Sequence, residues 1–206
     1  IVGKYVDSWM LLMIAREAGD LEDIEGFSVS RQDTAAGITS PLTPHTPPLR
    51  IGVVRDSAFQ FYYEENLEEL KKHSVDIIEI SALNEKKLPD LDALYIGGGF
   101  PETHAIALAG NAGFRNSLKA AIEKGLPVYA ECGGLMYLGE ALLLDGRTYP
   151  MAGIFPLTFS LEKRPQAHGY SVVEVIAGNP YFRNGTLLRG HEFHYSSIAN
   201  EGKADR

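Results

Sequence analysis

The sequence predicts an α/β fold built on a mainly parallel sheet flanked by helices, with antiparallel additions towards the C-terminus. Three observations carry this. Short apolar runs alternate with amphipathic helical segments from residue 50 to about residue 144. Two of those runs end directly in glycine-rich turns, Gly97-Gly98-Gly99 and Glu131-Cys132-Gly133-Gly134. Beyond residue 150 the helical period gives way to strand-like runs.

In chain order, residues 51–54 (IGVV) form an apolar run suited to a strand buried on both faces. Residues 64–72 (EENLEELKK) predict a helix, with Leu67 and Leu70 inward and acids at its start. Residues 75–80 and 93–96 are the second and third strands. A helix is expected over 116–124, closed by Gly125, and a fourth strand over 126–130. Residues 135–144 are expected to continue as a helix from the Cys132 turn. Strands are expected at 151–159, 169–176 and 186–195.

Residues 1–49 read differently. WMLLMIAREA at 9–18 is expected to be a helix, and residues 28–49, ending PLTPHTPP before Leu49, have a linker composition. One helix and a linker do not make a domain. The expected division is therefore 1–27 as the remnant of an N-terminal domain, 28–49 as linker and 50–206 as the globular domain. Ile1 in place of Met fits a piece of a longer chain.

Composition narrows the function. Of the 206 residues, 45% are hydrophobic and 22% charged, enough for a sizeable core. A net charge of −8 argues against a general nucleic-acid binder. No run of about 18 apolar residues suggests a membrane span, and residues 1–16 lack the basic start and cleavage site of a secretory signal. A single cysteine, Cys132, excludes an internal disulfide framework and suits a reducing, cytoplasmic setting.

That cysteine is the centre of the chemistry. Cys132 sits where a buried strand meets a helix, between Glu131 and two glycines, the pattern of a nucleophile elbow. A helix N-terminus favours the thiolate, and the amides after the nucleophile can hold an oxyanion. The plain alternative is a small buried hydrophobe. The Gly97–Gly99 run ends a neighbouring strand, where ligands of open α/β sheets bind. It lacks the Lys-Ser/Thr of a phosphate loop.

A thiol nucleophile needs a base. Of six histidines, His45 and His73 are poorly placed, and His104 and His168 have no motif around them. In RGHEFHYS (189–196) strand alternation puts Glu192, His194 and Ser196 on one face. This favours His194, with a carboxylate beside it, over His191. Two histidines with Glu192 hint at a metal, but no further ligand cluster supports zinc, and no metal is expected.

Four segments taken together, AFQFYYEENL (58–67), LYIGGGFPE (94–102), YAECGGLMYL (129–138) and RGHEFHYS (189–196), resemble the C-terminal glutamine amidotransferase domain of cobyrinic acid a,c-diamide synthases. The resemblance covers about residues 50–197. It implies a flavodoxin-like class I amidotransferase fold, with Cys132 as nucleophile, His194 as catalytic histidine, and the Gly98 and Gly133 amides as the oxyanion hole. It also implies an N-terminal synthetase domain of the same polypeptide that uses ATP and Mg²⁺ and receives ammonia to amidate a tetrapyrrole. No cofactor is expected in this chain itself. Many class I relatives carry a Glu two residues after the histidine. Here that position is Ser196, so Glu192 is the candidate orienting group, the alternative being a Cys–His dyad. Gly99, Glu102, Tyr195 and Ser196 are further candidates for contacts with glutamine, and Arg164 for its charged groups. Rival expectations are another tetrapyrrole substrate, a glutamine-binding domain without catalysis, or a cysteine hydrolase of the same fold.

The sheet and the elements around it

The computed structural model describes residues 49–73, 75–178 and 182–201. The expected helix at 9–18 and the linker up to residue 48 lie outside them. Four parallel strands form the central sheet: β1 (Leu49–Val54), β3 (Val75–Ile80), β4 (Ala93–Ile96) and β6 (Val128–Ala130). Their spatial order is β3-β1-β4-β6. Counting these four alone, that is 2-1-3-4, the order of a flavodoxin-like doubly wound sheet.

Both faces of this sheet are covered, which is why its strands read as unbroken apolar runs. Val54, Ile80, Leu94, Ile96 and Val128 face the larger core. Ile51, Val53, Val75, Ala93 and Tyr95 face a smaller one. Helix α1 (Glu64–Lys72) closes the smaller core with Leu67 and Leu70; Glu64 and Glu65 in its first turn and Lys71 and Lys72 in its last oppose the helix dipole. On the other face, Phe114, Leu118 and Ile122 of α3 (Ala112–Glu123) recur at spacing four and pack down. A short helix α2 (Ala105–Gly110), absent from the sequence expectation, precedes it. Asn111 between the two is buried, and its amide donates to the carbonyls of Ala82 and Glu85.

The expected helix over 135–144 is corrected. Helix α4 is only Gly133–Leu138, and Ala141–Leu144 is strand β7, paired antiparallel with β8 (Arg147–Pro150). Two features cause this. Gly139 is extended (ψ 177°), and a β-carbon on it would be 2.8 Å from the Leu157 carbonyl. Asp145 and Gly146 both have positive φ, 49° and 73°, the type I′ turn that joins tight hairpins.

The expected strand at 151–159 is also displaced: β9 is Leu157–Leu161. It pairs parallel with β7 and antiparallel with β12 (Ser196–Glu201), giving a second sheet in the order β12-β9-β7-β8. Strands β10 (Ala167–Glu174) and β11 (Leu187–His194) pair antiparallel as a separate two-stranded unit with much exposed surface. Two short strands, β2 (Phe59–Phe61) and β5 (Gly98–Gly99), pair antiparallel at the end of the central sheet.

Candidate active site

The site grows from two neighbouring strands. β4 and β6 run parallel with Ile96 opposite Ala130, so the chain leaving each emerges on the same sheet edge. One exit is Gly97-Gly98-Gly99, the other Glu131-Cys132. The Glu131 amide still bonds the Ile96 carbonyl at 3.0 Å, continuing the ladder to the residue before the cysteine. The backbone then turns sharply: Cys132 has φ 47° and ψ −108°, a conformation that L-residues avoid. The turn is closed by the Gly134 amide on the Glu131 carbonyl (2.7 Å) and the Met136 amide on the Cys132 carbonyl (3.1 Å).

Glycine is required at both positions after the thiol by close backbone approach. A β-carbon on Gly134 would lie 2.4 Å from the Ile96 carbonyl. One on Gly133 would lie 2.9 Å from the Gly99 carbonyl and 2.9 Å from the Pro101 ring. One on Gly98 would sit 3.7 Å from Cys132 Cβ. The elbow and the glycine loop thus touch, which brings Gly98, Gly99, Cys132 and Gly133 together.

Cys132 is exposed, yet its thiol pKa is raised, first by burial of the sulfur. The Gly133 N–H, directed at the sulfur, opposes this, while Glu102 and Glu131 push it further up. Neutral thiol is therefore favoured at pH 7, and alkylation by iodoacetamide should still be rising with pH where a free cysteine has levelled off. Glu102→Gln removes one raising charge. It is expected to move the alkylation midpoint to lower pH and to raise the rate at pH 7 about twofold. An unmoved midpoint would discount Glu102 as a neighbour of the thiol.

Glu102 belongs to the 3-10 turn Pro101–His104 and is itself held towards its neutral form by burial. It also lines a concavity of about 220 Å³ with Thr103, Leu143, Leu144, Asp145 and Leu161. Cys132 is not part of that lining. His104 is engaged, bonding Ser57 Oγ at 2.9 Å and Thr103 Oγ1 at 2.8 Å.

His194 ends β11. Its Nδ1 lies 2.9 Å from the Ser196 backbone carbonyl. A carbonyl only accepts, so Nδ1 carries the proton and the basic nitrogen is Nε2. Glu192 Oε2 lies 3.6 Å from that Nε2. The expected alternation thus brings Glu192 and His194 together. Ser196 departs from it, because β11 stops at His194 and Ser196 opens β12 in the other sheet. Tyr195, between them, is exposed and packs edge-on against Phe193 at 6.0 Å. Arg164 lies between β9 and β10, its backbone carbonyl accepting from the Gln166 side-chain Nε2. Among the described residues no hydrogen bond or ion pair joins His194 to Cys132. The thiol and the imidazole stand on separate parts of the fold.

The sequence reading passed over a polar cluster beside the elbow. Glu131 accepts from the Tyr129 hydroxyl at 2.6 Å and from the Tyr95 hydroxyl at 3.2 Å. Tyr95 and Tyr129 are direct partners on β4 and β6, with rings 5.3 Å apart. The signal was available: Tyr129 and Glu131 are two apart at the end of a strand and share a face.

A strained cysteine turn at the end of a doubly wound sheet, beside a glycine loop, is the geometry of a cysteine-centred α/β enzyme class. The CobB/CobQ-like glutamine amidotransferase domain matches residues 50–206, and the chain belongs to that family. It is 42% identical over 205 residues to a cobyrinate a,c-diamide synthase of Archaeoglobus fulgidus, covering 100% of this chain and 42% of that protein. It is 46% identical over 154 residues to one of Streptococcus sanguinis, covering 75% of this chain and 34% of that protein. A solved glutamine amidotransferase structure aligns with 74% of this chain and 75% of its own, at 20% identity and a TM-score of 0.49. The chain therefore spans less than half the length of the curated relatives it matches.

Proposed function

We propose that this chain hydrolyses glutamine at Cys132 and supplies the ammonia to a synthetase domain of the same polypeptide, which amidates cobyrinate at its a- and c-carboxylates. The observation that carries the reading is the strained Cys132, followed by two glycines and packed beside the Gly97–Gly99 loop of the adjacent strand. The family supports glutamine as amide donor, and the relatives' names support the macrocycle. ATP and Mg²⁺ belong to the synthetase domain in this reading; the glycine run here continues into Phe100-Pro101 and offers no phosphate lysine.

In the mechanism, the δ-carboxamide of glutamine lies over Cys132. Nε2 of His194 takes the thiol proton, and the sulfur attacks the carbonyl carbon. The resulting oxyanion is held by the amides of Gly98 and Gly133. The tetrahedral intermediate collapses as His194 returns its proton to the leaving nitrogen, releasing ammonia and a γ-glutamyl thioester. Water, deprotonated by His194, then cleaves the thioester to glutamate and free thiol. The Ser196 carbonyl orients the imidazole through Nδ1, in the place where many class I enzymes use a Glu side chain. Glu192 steadies the imidazolium that forms between the two proton transfers. Gly99 supports the loop by packing, while Glu102 and Tyr195 meet the charged groups of glutamine. Because thiol and imidazole are not hydrogen-bonded here, the mechanism requires them to be brought together around substrate.

The test is ammonia release from glutamine by the full-length protein. His194→Ala is expected to lower kcat by about 10²–10⁴-fold, the usual span for a lost acid–base group. Wild-type ammonia release by that variant would reject His194 as the base.

A further inference from the structure

A run of three glycines is an unpromising place to hold a catalytic amide. Glycine has the widest backbone freedom of any residue, and Gly97–Gly99 has no side chain with which to fix itself. The structure shows what fixes it. The Tyr62 hydroxyl accepts from the Gly97 N–H at 2.8 Å and donates to the Val54 carbonyl. Val54 and Ile96 are opposite each other in the parallel pairing of β1 and β4, so Gly97 is the next residue along that ladder. The phenol oxygen thus stands between the last carbonyl of β1 and the first amide beyond β4.

The fit around it is close. A β-carbon on Gly97 would lie 2.6 Å from Tyr62 Cζ and 2.7 Å from the Phe61 carbonyl. The ring stacks edge-on against buried Tyr95 at 5.1 Å, with the Arg55 guanidinium 6.0 Å from its centroid on another side. Phe61, the preceding residue, pairs with Gly98 between β2 and β5. Tyr62 is therefore rigid, half-buried and joined to the residue immediately before Gly98.

We propose that Tyr62 is a positioning residue for glutamine hydrolysis: by bridging Val54 to Gly97, its hydroxyl sets the direction in which the Gly98 amide meets the oxyanion. It touches neither substrate nor thiol and acts through the loop. The inference rests on the reading of Cys132 as the glutaminase nucleophile.

Tyr62→Phe keeps the ring and removes the bridge. Without it, Gly97 and Val54 either close on each other or lose their partner, and both move the loop. In the full-length protein, kcat for glutamine is expected to fall about 10- to 100-fold, part of the effect of losing an oxyanion donor outright, with KM within about twofold. Glutamate γ-semialdehyde forms a thiohemiacetal whose oxygen needs the same amides. Its affinity should fall by the same factor as kcat. Amide exchange over residues 95–100 should rise, while Tyr63→Phe, altering an exposed neighbour, changes none of these. Wild-type kcat and aldehyde affinity in Tyr62→Phe would overturn the proposal, as would a loss that tracks a lowered melting temperature alone. Unchanged amide exchange would overturn the bridge itself, whatever the activity. Glutamine hydrolysis that persists in Cys132→Ala would instead strike the reading of Cys132.

Discussion

Cys132→Ala in the full-length protein is expected to lower glutamine-dependent amidation at least a thousandfold, while amidation fed by ammonium salts continues at the wild-type rate. A loss of about this size follows when the nucleophile of a covalent mechanism is removed, because its partners cannot replace it. Retained ammonia-dependent activity separates this reading from its rivals. A non-catalytic glutamine-binding domain would show no glutamine hydrolysis to lose. A simple cysteine hydrolase would show no ammonia-fed synthesis. Stability supplies an independent check. The φ of 47° at Cys132 belongs to a class of backbone strain that costs about 1–3 kcal/mol. Alanine keeps that strain and glycine relieves it, against about 1 kcal/mol for glycine's extra freedom in the unfolded chain. Cys132→Gly should therefore be as inactive as Cys132→Ala yet more stable by about 1 kcal/mol in urea denaturation. Equal urea midpoints for the two would show that the elbow stores no more than the about 1 kcal/mol that glycine's freedom costs.

Gly99→Ala should be the most damaging single methyl in the domain. Its β-carbon would lie 2.0 Å from the Ala58 carbonyl oxygen and 2.8 Å from both Ala58 C and Phe59 Cα. All three are backbone atoms, so no side-chain rotation relieves the clash. The Ala58 carbonyl already accepts the Phe100 amide at 2.9 Å, and Phe59 beside it is fully buried. Displacing β2 thus disturbs both the core and the loop that faces Cys132. A destabilisation of about 3 kcal/mol is expected, at the upper end for overpacking, together with loss of glutaminase activity. Gly110→Ala is the control: nothing lies within 4 Å of its β-carbon position at the end of α2, so its urea midpoint should be unchanged or slightly raised. Similar midpoints for the two variants would refute the packing at Gly99.

Much of this architecture was legible in the residues. The four parallel strands and α1 follow from apolar runs and helical spacing, and the elbow from a strand ending in Glu-Cys-Gly-Gly. Elsewhere local pattern misled. ALLL at 141–144 fits a buried helix as well as a strand, and the extended Gly139 before it and the Asp145-Gly146 turn after it decide between them. For the site, sequence alternation found the Glu192–His194 pair but not where β11 would end. Whether Ser196 offers a hydroxyl or a carbonyl depends on that boundary, and the carbonyl is what meets the imidazole. Tyr62 carries no such signal, because a hydroxyl bridging two strand ends leaves no periodic trace.

The pairing of Ile96 with Ala130 has a consequence for how the site comes into being. The glycine loop and the cysteine are neighbours in space, but α2, α3 and the turns around them lie between the two strands along the chain. Closing so long a crossover costs entropy before any contact across it repays that cost, and such non-local pairings form slowly. No fragment ending before β6 can contain the site, and no partly folded chain with β6 unpaired can display it. Recovery of glutaminase activity after dilution from urea should therefore lag any early helix signal and coincide with completion of the sheet.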